Sequence, residues 1–188
     1  IRMSHFSRIL GIAAGMTEIE ADDLLHAAPM HDVGKIGIPD RILQKPGPLD
    51  ADEWKIMQSH VTIGAEIIGE HAGGMLALAR SIALTHHEKY DGSGYPGGLK
   101  GDQIPLVGRI TAIADVFDAL TSERPYKKAW SEGEALAFLH EQKGRHFDPQ
   151  LVDLFAEQMP AIREIRLRWA ETAQAVAAEP AALAAQAA

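Results

Sequence analysis

The chain contains no cysteine. That excludes a disulfide scaffold, a thiol nucleophile, an iron–sulfur cluster and any thiolate metal site. Aromatic residues make up only 6% of the sequence. No uninterrupted apolar run approaches the roughly 18 residues that a membrane span requires. Positive charge is also scarce, with 18 Lys and Arg against 26 Asp and Glu for a formal charge of -8. A binder of nucleic-acid polymers needs clustered positive charge, so that class is disfavoured. The N-terminus, IRMSHF, lacks both an initiating methionine and the apolar core of a signal peptide, and it reads as the cut edge of a longer, cytoplasmic protein. What the 188 residues do have is nine histidines. Chemistry in this chain is therefore imidazole and carboxylate chemistry.

The pattern along the chain is almost wholly helical. Residues 5–14 carry apolar side chains at helical spacing, and 18–35 begin acidic, as a helix N-terminus favours, before turning apolar. Pro29 marks a kink or break in that second helix. The segment GIPDRILQKPGPLD reads as an ordered loop. Asp50 with Glu53 forms a capping box for a helix over about 51–69, and another helix spans about 74–89. DGSGYPGGLKGDQIP has too much glycine and proline for a regular element. Helices then follow from about Leu106 to Leu120, from the Ser131/Glu134 capping box to about 143, and from Asp148-Pro149 onward. A long helical stretch over 161–178 leads into an alanine-rich tail. The expected fold is all-α, with one domain over 1–160 and a C-terminal helical extension over 161–188.

His31-Asp32 is the strongest local signal. Neighbouring helix positions point about 100° apart, and a carboxylate can bridge two cations where an imidazole cannot. By itself an HD dipeptide fits a packed histidine equally well. The companions give it weight: His5 opens the first helix, His60 lies on an apolar helix, and His86-His87 end another. Asp115 sits amid the apolar run RITAIADVFDAL, where an aspartate is costly to bury unless paired, hydrogen-bonded or metal-bound. Spacing alone does not choose between Asp115 and Asp118 for that place. Lys35 falls three residues after Asp32, either as a surface ion pair or as an ammonium above a substrate phosphate. Five imidazoles and two carboxylates on separate helices suit a binuclear hydrolase site.

Four pieces, HDVGKIGIPDRIL (31–43), KPGPL (45–49), HHEKYDGSGYP (86–96) and IADVFDALTSERPYK (113–127), stand in one order with His60 between them. In this the chain resembles the HD-GYP family, a branch of the HD metal-dependent phosphohydrolases, over about residues 5–155. The resemblance implies a compact helical bundle and a phosphodiesterase that hydrolyses the bacterial second messenger cyclic di-GMP to linear pGpG, and further to GMP in some members. It implies His5, His31, Asp32, His60, His86, His87 and Asp115 as metal ligands, and it favours Asp115 over Asp118. One ion would fall to His5, His31, Asp32 and Asp115, the other to Asp32, His60, His86 and His87. Members with three metals carry a glutamate four residues before the first histidine; Ile1 stands there in this chain, so two divalent ions are expected, iron or manganese ahead of nickel, cobalt or zinc. Lys35 and Asp32 are the implied catalytic residues, and Tyr95, Arg124 and Lys127 the implied substrate contacts. Glu88 and Asp91 would support the ligands or hold the glycine-rich loop. The remaining histidines, 26, 71, 140 and 146, read as surface or packing residues, and the tryptophans at 54, 130 and 169 as packing anchors rather than stacking platforms. Partners implied are a cyclic dinucleotide, an upstream regulatory domain and a second copy or signalling protein. A weakly catalytic cyclic di-GMP sensor, or a phosphodiesterase for another cyclic nucleotide, is the competing reading.

Overall fold

The computed structural model describes residues 1–123 and 128–169. Three helix starts are fixed by local chemistry that the sequence announces. Asp50 accepts from the backbone N–H groups of Asp52 and Glu53 while Glu53 accepts from the Asp50 N–H. Ser131 and Glu134 form the same reciprocal box, and Asp148 caps the helix that opens with Pro149. A further box joins Thr17 to Glu20. Each such cap satisfies N–H groups that would otherwise face solvent unpaired.

The elements so bounded are α1 (Arg2–Ala13), α2 (Glu18–Ala27), a 3₁₀ segment (Ala28–Gly37), α3 (Asp40–Leu43), α4 (Ala51–Gln58), α5 (His60–Ile68), α6 (Gly74–Thr85), a short 3₁₀ turn (Gly101–Gln103), α7 (Leu106–Leu120), α8 (Glu132–Glu141) and α9 (Pro149–Glu157). Residues 159–169 are helical as well. No β-strand occurs among the described residues, so the all-α expectation holds. None of the described helices is long and apolar enough to cross a membrane.

Two expected helices come out differently. The stretch 18–35 is α-helical only to Ala27 and then tightens into the 3₁₀ segment that carries His31 and Asp32. Pro29 removes one N–H at that junction. The tighter winding also coincides with an extreme approach between this segment and α5. A Cβ on Gly34 would lie 1.9 Å from the His60 carbonyl oxygen and 2.4 Å from the Gly64 nitrogen. The expected helix 51–69 is likewise two helices, broken at Ser59, so that His60 begins α5 instead of lying mid-helix.

The core is built on α1, α2, α6, α7, α8 and α9, through Phe6, Leu10, Leu24, Ile82, Ile113, Phe117, Leu139 and Phe155. Phe117 meets Phe6 and Phe155 edge-on, at ring-centroid distances of 6.0 and 5.0 Å. A second backbone approach joins α7 to α6: a Cβ on Gly108 would stand 2.2 Å from Thr85 Oγ1. Glycine at 34 and at 108 thus brings the 3₁₀ segment onto α5, and α7 onto the end of α6. Arg109 bonds Asp148 at 2.6 Å and Asp102 at 2.8 Å, bracing the start of α7 against the start of α9.

Candidate metal centre

His31 and Asp32 come from the 3₁₀ segment, His60 from the first residue of α5, and His86 and His87 from the C-terminal end of α6. The last position places two imidazoles at the partially negative end of a helix, where a cation is favoured. One ligand atom each from Asp32, His60, His86 and His87 lies within 4.8 Å of all the others. Ligands about 2.1 Å from a shared ion stand roughly 3–4 Å apart, so this grouping is of the right size.

The rings are aimed from behind. His31 Nδ1 pairs with the Ala28 carbonyl at 2.8 Å, His60 Nδ1 with Met57 O at 2.7 Å, and His86 Nδ1 with Ile82 O at 3.0 Å. A carbonyl only accepts, so each Nδ1 carries a proton; His60 and His86 then present Nε2 lone pairs inward, while His31 Nε2 faces Asp32 Oδ2 at 3.3 Å. Asp32 Oδ1 is 3.5 Å from His60 Nε2 and 3.8 Å from His86 Nε2, too far for a good hydrogen bond. These three atoms are buried without a protein partner. An unsatisfied buried polar atom costs about 1–3 kcal/mol, and three facing one point are what a bound cation would satisfy. The residues therefore fit a divalent-metal site.

Protonation follows the same logic. Burial, with neighbouring imidazoles adding repulsion, holds His60 and His86 below the ordinary histidine value and pulls His87 down to about 3. These rings are neutral near pH 7, as ligation requires. His31 is the exception: burial lowers it, but its hydrogen bond to Asp32 and the Asp32 and Asp115 charges raise it further. Burial alone would raise Asp32, yet His31 and Lys35 together hold it well below the usual carboxylate range. Lys35 Nζ sits 2.6 Å from Asp32 Oδ2, since residues three apart stand in line on a 3₁₀ helix.

Asp115 and Asp118 separate clearly. Asp115 Oδ1 is 3.7 Å from His31 Nε2, whereas Asp118 turns away to Arg2 at 3.0 Å. Burial raises the Asp115 carboxyl above its ordinary value. His5 lies on α1 with its ring 5.9 Å from that of Trp169. It is not among the four residues grouped above. Arg124 and Lys127 lie outside the described residues.

The glycine-rich loop is fastened by Glu88, which is only 3% exposed and accepts from the N–H groups of Gly97 at 2.6 Å and Leu99 at 2.9 Å. Asp91 makes a local turn, accepting from Ser93 N–H at 2.8 Å. Tyr95 stacks on His87 with ring centroids 4.9 Å apart. Three nearby residues were not singled out by sequence reasoning. Trp54, expected as a packing anchor, is 47% exposed and edge-on to Tyr95 at 6.1 Å. Lys89 and His146 line the same cleft. A signal for Trp54 was available: its neighbours in DEWK are charged, and α4 buries none of its residues.

An all-α bundle that brings an HD pair, a lone helical histidine and a helix-ending HH pair to one point defines a metal-binding domain of the HD type. Residues 2–151 match the HD domain family. A 3'3'-cGAMP-specific phosphodiesterase (number 2) of Vibrio cholerae is 52% identical over 165 residues, 88% of this chain and 32% of its own length. The cyclic di-GMP phosphodiesterase response regulator RpfG of Xanthomonas campestris is 48% identical over 87% of this chain and 43% of its own. Among solved structures, an HDG"Y"P protein from Bdellovibrio bacteriovorus shares the fold with a TM-score of 0.65 at 20% identity, over 85% of this chain and 51% of that one. The chain belongs to the HD domain family. It spans a third to less than half the length of these two curated relatives.

Proposed function

We propose that this domain catalyses metal-dependent hydrolysis of cyclic di-GMP to linear pGpG. The observation that carries the reading is the convergence of Asp32, His60, His86 and His87, with buried unpaired atoms facing one another and Lys35 on the Asp32 carboxylate. The named activities of the relatives point the same way. Two ions would be held, one by Asp32, His60, His86 and His87 and the other by His5, His31, Asp32 and Asp115, with iron or manganese preferred. Divalent ions there supply Lewis-acid activation of water and neutralise phosphate charge.

The chain's own residues set the rest. The Nδ1 bonds lock three rings in the ligating tautomer, so no reorientation is needed at loading. Asp32 contributes an oxygen to each side of the site. Lys35, 40% exposed at the side chain, faces both Asp32 and solvent and is placed to oppose charge on the scissile phosphate or to protonate the leaving ribose oxygen. Tyr95 and Glu88 shape the loop over the site, and Arg124 and Lys127 are assigned to the ligand's phosphate or guanine. The proposal extends to cytoplasmic action and to control by an upstream regulatory domain; the greater length of the relatives leaves room for a further domain.

Hydrolysis of 3',3'-cyclic GMP-AMP is the second reading, favoured by the 52% identical relative named for that activity. The test is chromatography of products from protein loaded anaerobically with iron or manganese, offered each dinucleotide. Linear product from cyclic di-GMP, abolished in Asp32→Ala together with loss of bound metal, is the expected result. Metal-replete protein that leaves both dinucleotides intact refutes both readings, and tight binding without turnover would identify a sensor.

A further inference from the structure

Beside the metal donors, on the side of the glycine-rich loop, lies a cleft of about 300 Å³ lined by Trp54, Gln58, His87, Lys89, Tyr95 and His146. Its aromatic wall runs outward in two ring contacts. Tyr95 stacks on His87 with an interplanar angle of 22°, and Trp54 stands across Tyr95 at 80°. Trp54 is not held there by the core, since α4 buries none of its residues. The other side of the cleft is polar and braced. His146 lies flat on Phe147, with ring centroids 4.1 Å apart. The backbone at 145 and 146 accepts from the N–H groups of Asp91 and Tyr90 at 2.9 and 3.1 Å, which fixes this segment to the loop. Lys89 takes part in no ion pair among the described residues, so its ammonium is available to a ligand.

We propose that this cleft is the subsite for one purine base of the substrate, with Trp54 as its stacking face and Lys89 and His146 reading the base edge. The assignment rests on the phosphodiesterase reading above. A flat ring entering between Trp54 and the 89–146 side reaches the metal donors through His87, which the cleft shares with the metal centre. An exposed indole beside converging polar groups suits a nucleobase, whose faces stack and whose edges hydrogen-bond. The polar set also selects among bases. Lysine only donates, and guanine offers two acceptors, O6 and N7, where adenine replaces one with the N6 amino donor. Lys89 therefore favours guanine. Burial, reinforced by the Lys89 charge, holds His146 down at about 4, so it meets the base as a neutral ring able to donate or accept.

The test separates the base from the phosphodiester by using bis(p-nitrophenyl) phosphate, a diester without a purine, beside cyclic di-GMP and cyclic di-AMP. In Trp54→Ala the ratio of kcat/KM for cyclic di-GMP to that for the nitrophenyl diester falls about tenfold or more, mainly through KM. In Lys89→Ala the preference for cyclic di-GMP over cyclic di-AMP narrows. Binding is read independently of turnover: GMP quenches the indole fluorescence of the wild type, and the quench disappears in Trp54→Ala. Equal quenching in both proteins, no quenching in the wild type, or an unchanged kcat/KM ratio overturns the subsite. A wild type that cleaves no diester yet shows the Trp54-dependent quench strikes the phosphodiesterase reading and upholds the purine site.

Discussion

Replacing Gly34 with alanine puts a carbon where backbone already stands. The added Cβ would begin 1.9 Å from the His60 carbonyl oxygen, and that gap must open to at least 3.0 Å before it resembles any real contact. The obstacle is main chain on both counts, since the Gly64 nitrogen and Cα lie at 2.4 and 2.9 Å. No rotamer change can relieve it, so the 3₁₀ segment and α5 must part. Overpacking of this kind costs about 1–3 kcal/mol or more, which for a chain of this size lowers Tm by roughly 2–12 °C. The same movement carries Asp32 away from His60, and a displacement near 1 Å at a site of this type costs on the order of a hundredfold in rate. Gly133 is the control, because a Cβ there meets nothing within 4 Å and α8 has ordinary helical geometry. Thermal melts followed by circular dichroism, paired with metal analysis of the purified proteins, provide the assay. Gly34→Ala should melt lower and bind less metal, while Gly133→Ala should match or slightly exceed the wild type. A Gly34→Ala protein with unchanged Tm and metal content refutes the close-approach reasoning.

Three further outcomes follow from named contacts. Glu88→Gln turns an amide N–H₂ toward one of two backbone donors, so it should cost about 1–3 kcal/mol and speed amide exchange at Gly97 and Leu99; unaltered exchange there would show that the staple is dispensable. Arg109→Ala leaves Asp148, whose side chain is 5% exposed, without its cation and should lower the urea midpoint by the equivalent of about 3 kcal/mol. Partial recovery on adding Asp148→Asn would identify the stranded charge as the cause, and no recovery would exclude it. His146 stands at about 4 against an ordinary 6.5, so as pH falls the unfolded chain takes the proton first. Its contribution is intact above 6.5 and drains between there and about 4, and His146→Gln should flatten the stability profile between pH 7 and 5 by on the order of 1 kcal/mol; an identical profile would remove His146 from the account.

The helical layout was legible because its signals are local. Capping boxes at Asp50 and Ser131, and Asp148-Pro149, bind neighbours in sequence and need no tertiary context. The same is true of the HD and HH pairs as motifs. What the sequence could not show arises between distant segments. The 3₁₀ winding of 28–37 accompanies the press of α5 on Gly34, and Asp118 turns to Arg2, 116 positions away, while Asp115 faces His31, a separation that spacing alone did not give. Trp54 was misread because a tryptophan suggests burial by composition, while its actual surroundings depend on where the loop of Tyr95 folds back.

The three Nδ1–carbonyl bonds have a consequence for how such a site can be built or altered. Each imidazole takes its direction from a carbonyl three or four residues earlier on its own stretch of chain. Orientation is thus inherited locally, and only position is left to tertiary structure. Assembling the donors becomes a matter of placing a few rigid rods, each already carrying an aimed lone pair, instead of steering flexible side chains. Loops between the rods can vary widely in length and composition without disturbing aim. A shift of one rod by a fraction of its width, in contrast, moves its donor bodily. For the aim of these donors, tolerance to change should accordingly be wide in the connections that do not line the site and narrow at the two glycines where the rods touch.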